Sequence, residues 1–163
     1  MKNMNKIRNI LLLASIALLL CGCRKHEDVF FDTPFVRIEG ATGQTSFEVD
    51  KNLDNLLVDL RIILSASNNY FTEPITVEYD VIVGSGLQEG VDFRIQQSTM
   101  SPVTFSPGNY SMPVRVLWYK TEGFDPSKDN TLTLRLKGTS NPAVKIGLPG
   151  PNSSKTEFIF TKI

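Results

Sequence analysis

Hydrophobic and polar residues alternate along most of this 163-residue chain from Phe35 onward. A period of two places successive side chains on opposite faces of an extended strand, whereas helical side chains repeat every 3.6 residues. The pattern predicts four long strands with polar residues such as Thr133 facing solvent and an inward apolar face formed by Val58, Leu60, Ile62, Val77, Tyr79, Val81, Val114, Val116, Trp118, Leu132, Leu134 and Leu136. Shorter strands are predicted at 36–39, 47–50, 93–96, 103–105 and 157–161.

Segments rich in turn-forming residues separate these strands. Residues 40–43, 84–86 and 106–109 supply glycine, proline and asparagine, which accommodate the backbone angles of tight turns. One-sided alternation means that one face packs on a core while the other meets water, as in antiparallel sheets. Eight or nine short strands at this spacing predict an all-β, antiparallel two-sheet sandwich of the immunoglobulin type over residues 35–163.

The first 22 residues have a different pattern. A basic segment, residues 2–8, precedes an apolar run at residues 10–20, and Gly22 stands directly before Cys23. The apolar run is too short to span a bilayer, so it is interpreted as an export signal. The cleavage site resembles the lipobox of bacterial lipoproteins, which are cut before a cysteine that becomes acylated. We therefore predict a lipoprotein signal peptide at 1–22, lipid attachment at Cys23 and a lipidated tether at 23–34.

Composition narrows the functional classes. Removal of the signal peptide removes three of the 17 Lys and Arg residues and none of the 17 Asp and Glu residues, so the mature chain has 14 basic and 17 acidic side chains. This slightly negative net charge argues against nucleic acid as a partner. Cys21 leaves with the signal and Cys23 is consumed by lipid, so no thiol remains for a disulfide, a metal or a nucleophile. The single histidine, His26, lies on the tether, away from any sheltered site for a general base. We expect no enzymatic activity, no catalytic residues and no cofactor.

Three segments resemble the Calx-beta repeat: EGVDF at 89–93, VTFSPGN at 103–109 and VRV at 114–116. That family typically carries a Gly-x-Asp-Phe/Tyr stretch, an apolar strand ending in a Pro-Gly turn, and then an alternating strand. The resemblance covers roughly residues 75–136 and implies the same immunoglobulin-like sandwich. In the family, an acidic run after the alternating strand can bind calcium. Here residues 117–123 are LWYKTEG, without an acidic run, so we expect no metal site.

The layout of lipobox and sandwich also resembles uncharacterised lipoproteins encoded among polysaccharide-utilisation systems of gut-type bacteria. We expect a cell-envelope protein anchored to the Gram-negative outer membrane through its N-terminal lipid. Glu27 and Asp28, close behind Cys23, are similar to acidic export signals that send some lipoproteins to the outer face of that membrane. A solvated linker has the same composition, so both the inward-facing and the surface-exposed orientation stay open.

Aromatic side chains are the remaining candidates for ligand contact. Tyr70, Phe71, Tyr110 and Tyr119 fall in loops or on the polar face of a strand, where they could stack on sugar rings or fill partner pockets. They could equally cover a sheet edge. We expect a non-catalytic surface lipoprotein that binds a glycan or an envelope protein. The alternative is a structural or adhesive envelope module without a small ligand, which a long unprotected edge strand would favour.

Overall fold

The computed structural model describes residues 33–66 and 71–163. They contain a single 3-10 turn, Gln97–Thr99, and no helix in these ranges is long and apolar enough to cross a membrane. The ten strands are β1 (Phe35–Gly40), β2 (Ser46–Val49), β3 (Leu56–Ser65), β4 (Ile75–Val83), β5 (Phe93–Ile95), β6 (Val103–Phe105), β7 (Ser111–Trp118), β8 (Thr131–Thr139), β9 (Lys145–Ile146) and β10 (Glu157–Lys162).

The strands form two sheets of five. The front sheet has the order β5-β7-β3-β1-β9, and the back sheet has the order β2-β10-β8-β4-β6. The predicted all-β sandwich is confirmed, and all but two of its strand pairs are antiparallel. The parallel pairs, β1 with β9 and β2 with β10, lie at sheet edges. The chain passes from one sheet to the other just before β2 and just before β9. Such a crossover allows the new strand to run parallel to its neighbour.

Alternate residues of facing strands fill the space between the sheets. The aromatic centre of the core joins Phe93, Trp118, Phe158 and Phe160, with ring centroids 5.0 to 5.5 Å apart from one neighbour to the next. Offset and tilted ring contacts of this kind add stability beyond the area that they bury. Ten of the twelve residues predicted to face inward are buried: Leu60, Ile62, Val77, Tyr79, Val114, Val116, Trp118, Leu132, Leu134 and Leu136.

Three positions differ from the prediction. Val81 is 39% exposed, because β6 pairs with β4 only up to Val77 and leaves the later part of β4 open at the sheet edge. Val58 is half-buried, because β1 ends opposite Leu60 and does not flank β3 beyond it. Thr133 was predicted to face solvent, but it is only 9% exposed because it lies between Ile82 and Ile159 on the neighbouring strands.

The sandwich has two distinct ends. At the near end lie Phe35 and Ser65, which are register partners, together with the start of β7 at Ser111. At the far end lie Leu56 and Trp118, which are register partners on β3 and β7. The described chain enters β1 at the near end and finishes β10 at the far end, beside the end of β7.

Candidate functional site

A surface cleft, here called the front cleft, lies on the outer face of the front sheet close to the far end. It has a volume of about 420 Å³ and is lined by Leu57, Arg94, Gln96, Gln97, Leu117 and Tyr119. Leu57 and Leu117 are cross-strand partners on β3 and β7, and Arg94 on β5 is the partner of Leu117 on its other side. Three adjacent strands therefore each place one side chain at the same level of the sheet.

The floor of the front cleft is apolar, whereas the next outward level of the same strands is charged. Leu57 is 49% exposed, and the next outward pair along the same two strands is the ion pair between Asp59 and Arg115, 2.9 Å from Oδ1 to Nε. Two outward leucines on adjacent strands depart from the alternation that would give this end of the sheet a polar surface. The two leucines thus form a small apolar platform.

Tyr119 follows β7 directly and closes one side of the front cleft. Its backbone N–H donates to the Asp92 carbonyl oxygen at 2.9 Å, and its own carbonyl accepts from the Lys162 ammonium at 2.7 Å. The backbone is therefore fixed on both sides, while the half-buried side chain stays at the cleft. This arrangement pre-organises an aromatic ring beside the leucine platform.

Polar groups complete the rim. Within residues 33–66 and 71–163, none of the ion pairs involves Arg94, so its guanidinium is available to a ligand. The side-chain amide oxygen of Gln96, Oε1, accepts from the Arg115 guanidinium at 3.4 Å, and Gln97 is exposed. An apolar floor with a few polar groups at its edge is the usual composition of a small-ligand site.

A buried ion pair lies behind the Tyr119 backbone. The Lys162 Nζ atom is 3.4 Å from Asp92 Oδ1 and 5.6 Å from the centre of the Trp118 ring, and its side chain is fully buried. The Asp92 carboxylate also accepts from the Thr121 hydroxyl and, at 2.8 Å, from the Gln88 backbone N–H. Burial lowers the pKa of the Lys162 ammonium, and the charge of Asp92 and its hydrogen bond offset part of that shift.

Sequence reasoning missed Lys162, although its position carried a signal. Lys162 is in phase with Phe158 and Phe160, the two inward-facing aromatics of β10. A lysine at an inward position requires a buried partner, and Asp92 in the EGVDF segment provides one. The ion pair between the Lys162 ammonium and the Asp92 carboxylate therefore links β10 to the loop before β5.

The other candidate aromatics lie elsewhere. Phe71 and Tyr110 line a small space of about 10 Å³ at the near end and pack against the core. Tyr110 and Tyr119 are nine positions apart along extended chain, a distance of about 30 Å. The structure therefore does not bring Phe71 or Tyr110 to the front cleft. Tyr70 and the predicted lipid-attachment residue, Cys23, lie outside the described residues.

Acidic residues at the far end are engaged in turns. The Asp125 carboxylate accepts from the Ser127 hydroxyl at 2.6 Å and from the Ser127 backbone N–H at 2.9 Å, and these hydrogen bonds hold the pKa of Asp125 below its ordinary value. Asp129 Oδ1 accepts from the Thr131 hydroxyl at 2.7 Å. In the part of the chain that the structure describes, no three Asp, Glu, His or Cys residues are grouped to hold a metal ion.

No protein-family model and no curated protein sequence matches this chain. Several solved structures are similar in fold, including the following three. CBD12 from CALX1.2 has a TM-score of 0.52 at 17% identity, and the match covers 78% of this chain and 43% of that one. A two-domain protein of unknown function from Bacteroides fragilis NCTC 9343 has a TM-score of 0.53 at 10% identity, with 80% and 45% covered.

The third structure is Bacteroides thetaiotamicron EndoBT-3987 with its Man5GlcNAc product, with a TM-score of 0.51 at 9% identity over 77% of this chain and 30% of that one. The chain thus spans less than half the length of each of these proteins. Identities this low establish the fold and leave function to the site itself. Strand content, sheet arrangement and the likeness to CBD12 together make the described domain a Calx-beta-like β-sandwich.

Proposed function

We propose that this chain is a non-catalytic, lipid-anchored module of the outer membrane that binds a glycan through the front cleft. The observation that carries the proposal is the combination of Tyr119 with the leucine platform and the free guanidinium of Arg94. The apolar face of a sugar ring packs against aromatic and aliphatic side chains. Its hydroxyl groups take hydrogen bonds from guanidinium and amide groups such as those of Arg94, Gln96 and Gln97.

The placement of the cleft suits an anchored protein. The described chain enters the sandwich at the near end, through Pro34 and β1, whereas the front cleft lies toward the far end. A lipid upstream of Thr33 would be connected to the sandwich through the start of β1. EndoBT-3987, whose structure holds a Man5GlcNAc product, is similar in fold at 9% identity over 30% of its chain, so the glycan is proposed from the residues of the front cleft.

Replacing Tyr119 with alanine is expected to weaken glycan binding about tenfold, since loss of a stacked ring costs on the order of 1.4 kcal/mol. The ligand would first be found on a glycan array with the chain purified in detergent, and its affinity then measured by calorimetry. Phe35→Ala is the matched control, because Phe35 is also a half-buried aromatic but lies at the near end. Absence of glycan binding, or equal weakening by both substitutions, would refute the proposal.

Replacing Cys23 with alanine is expected to move the protein from the membrane fraction to the soluble fraction or to leave an unprocessed precursor, in either case without lipid mass. Several acyl chains anchor a protein almost permanently, at about 0.8 kcal/mol per buried CH₂. Fractionation and mass spectrometry of the intact protein measure both effects. Cys21→Ala is the control, since that residue belongs to the predicted signal. A Cys23→Ala protein that still carries lipid would contradict the anchor.

The alternative, a structural or adhesive module without a small ligand, is favoured by one separate observation. The second half of β4 is an open strand edge with three exposed β-branched residues. Such an edge is suited to strand addition or self-association and has no part in the front cleft.

A further inference from the structure

The β4 strand extends well beyond its outer neighbour. On one side it pairs with β8 as far as Val83, but on the other side β6 pairs only with Ile75–Val77. The edge strands β2, β5, β6 and β9 are two to four residues long, which is a common way to prevent unwanted pairing. The segment Asp80–Val83, here called the open edge, lacks that protection.

The open edge presents unpaired backbone groups. Gly84 and Gly86 donate their N–H groups to Thr131 and Asp129 at 2.8 Å, so the even-numbered residues are bonded toward β8. In an antiparallel ladder the alternate residues, Val81 and Val83, direct their N–H and C=O groups to the opposite side. Among the described residues, no strand lies there to receive them.

Tyr79 marks where the open edge begins. Its N–H points to the same side as those of Val81 and Val83, but it donates to the Ser101 hydroxyl at 2.9 Å. The segment before β6 therefore covers the edge as far as Tyr79 and no farther. Beyond it the side chains are also accessible, with Val81, Ile82 and Val83 each 39 to 43% exposed.

Two copies of the open edge can pair with each other as antiparallel strands. With Ile82 at a twofold axis, Val81 of one copy lies opposite Val83 of the other, and both residues have free outward backbone groups. The same register sets Ile82 against Ile82 and Asp80 against Gly84, so no like charges meet. Apolar β-branched pairs directly across two strands are stabilising. We propose that two copies of this chain associate by antiparallel pairing of their β4 open edges about Ile82, which joins the two back sheets through their β4 strands.

This contact exchanges backbone hydrogen bonds at two residue pairs and covers the three exposed apolar side chains of each copy. An interface this small is weak in free solution. Two copies confined to one membrane meet at a much higher effective concentration, which compensates for low intrinsic affinity. The association is independent of the front cleft, because the cleft lies on the outer face of the other sheet.

Disulfide trapping tests the contact, since it accumulates transient dimers. In the proposed register the two Ile82 Cα atoms form a non-hydrogen-bonded pair about 4.5 Å apart, within the range that a disulfide bridges. The full chain carrying Cys21→Ser and Cys23→Ser, purified in detergent, would receive Ile82→Cys and be oxidised mildly at about 100 μM. This background carries no lipid, so the result does not depend on the anchor. We expect most of the protein to become a covalent dimer.

Two matched variants control for register and for exposure. Asp80→Cys lies on the same face of β4, but its two copies would be about 13 Å apart and cannot bridge. Val91→Cys is 56% exposed outside β4 and controls for random collision. Both are expected to remain at least tenfold less cross-linked than Ile82→Cys. Equal cross-linking of the three variants, or none at Ile82→Cys, overturns the proposal.

A second measurement does not require substitution of Ile82. Chains with Val81→Cys mixed with chains with Val83→Cys should cross-link to each other, because these residues face each other at about 5.5 Å between Cα atoms. Each variant alone should cross-link far less, since its two copies would be offset by two residues. Absence of the mixed dimer, or equal cross-linking in the unmixed samples, overturns the register about Ile82.

Discussion

Replacing Lys162 with methionine is expected to lower the free energy of unfolding by about 3–5 kcal/mol, although the two side chains have similar length and the site is buried. The loss arises because the Asp92 carboxylate, 5% exposed as a residue, would remain in the core without its cation. The carbonyl oxygen of Tyr119 would lose its 2.7 Å hydrogen bond as well. Thermal unfolding should then shift downward by more than about 10 °C for a domain of this size.

The same substitution at an exposed lysine separates burial from charge. Lys137 is 60% exposed in its side chain and pairs with Asp80 at 3.3 Å on the outer face of the back sheet. Lys137→Met should change stability by no more than about 1 kcal/mol, as exposed ion pairs do. Adding Asp92→Asn to Lys162→Met should recover part of the loss, since the orphaned charge is then removed. A Lys162→Met protein as stable as the parent would show that the Lys162 ammonium does not stabilise the buried Asp92 carboxylate.

The long strands were predictable because each one contains enough residues to show the alternation of apolar and polar side chains. In β7, Val114, Val116 and Trp118 are buried and the residues between them face outward, as the period of two requires. By contrast β9 has only Lys145 and Ile146, too few residues to show a period. It is a strand because its backbone pairs with Phe35 and Val36, which are far away in sequence. Such partners are invisible in a local pattern.

Exposure at sheet edges was not predictable for a related reason. Val81 has the same phase in β4 as Val77 and Tyr79, yet only the earlier two are buried. The difference depends on where β6 stops pairing, at Val77, and nothing within β4 encodes the length of its neighbour. Alternation predicts which face a side chain occupies, while the lengths of adjacent strands decide how well that face is covered.

Of the six residues that line the front cleft, the sequence predicted only Tyr119 as a candidate. Tyr119 stood out because it is an aromatic residue in phase with the polar face of β7. Leu57 and Arg94 join Leu117 only through the register of β3 and β5, which the sequence pattern did not supply. Phe71 and Tyr110 were candidates because they flank turns, but packing against the core takes up much of their surface.

Replacing Leu134 with alanine is expected to cost about 2–5 kcal/mol, the usual loss for a large-to-small change in a packed core. Leu134 is fully buried in the centre of β8, and its register partners are Val81 on β4 and Phe158 on β10. Both neighbouring strands hold the backbone in place, so the surroundings have little freedom to collapse into the vacated volume. The cost should therefore fall in the upper part of that range.

Thr133 provides the control, since it is the adjacent residue of β8 on the opposite face. It lies between Ile82 and Ile159, so Thr133→Ala should cost about 1 kcal/mol rather than nothing. It opens no cavity between the sheets, because its side chain lies on the outer side of the back sheet. Urea unfolding of both variants, followed by tryptophan fluorescence from Trp118, gives the two free energies. Equal losses at Leu134 and Thr133 would contradict the inward orientation of Leu134, and with it the register that places Ile82 and the open edge of β4.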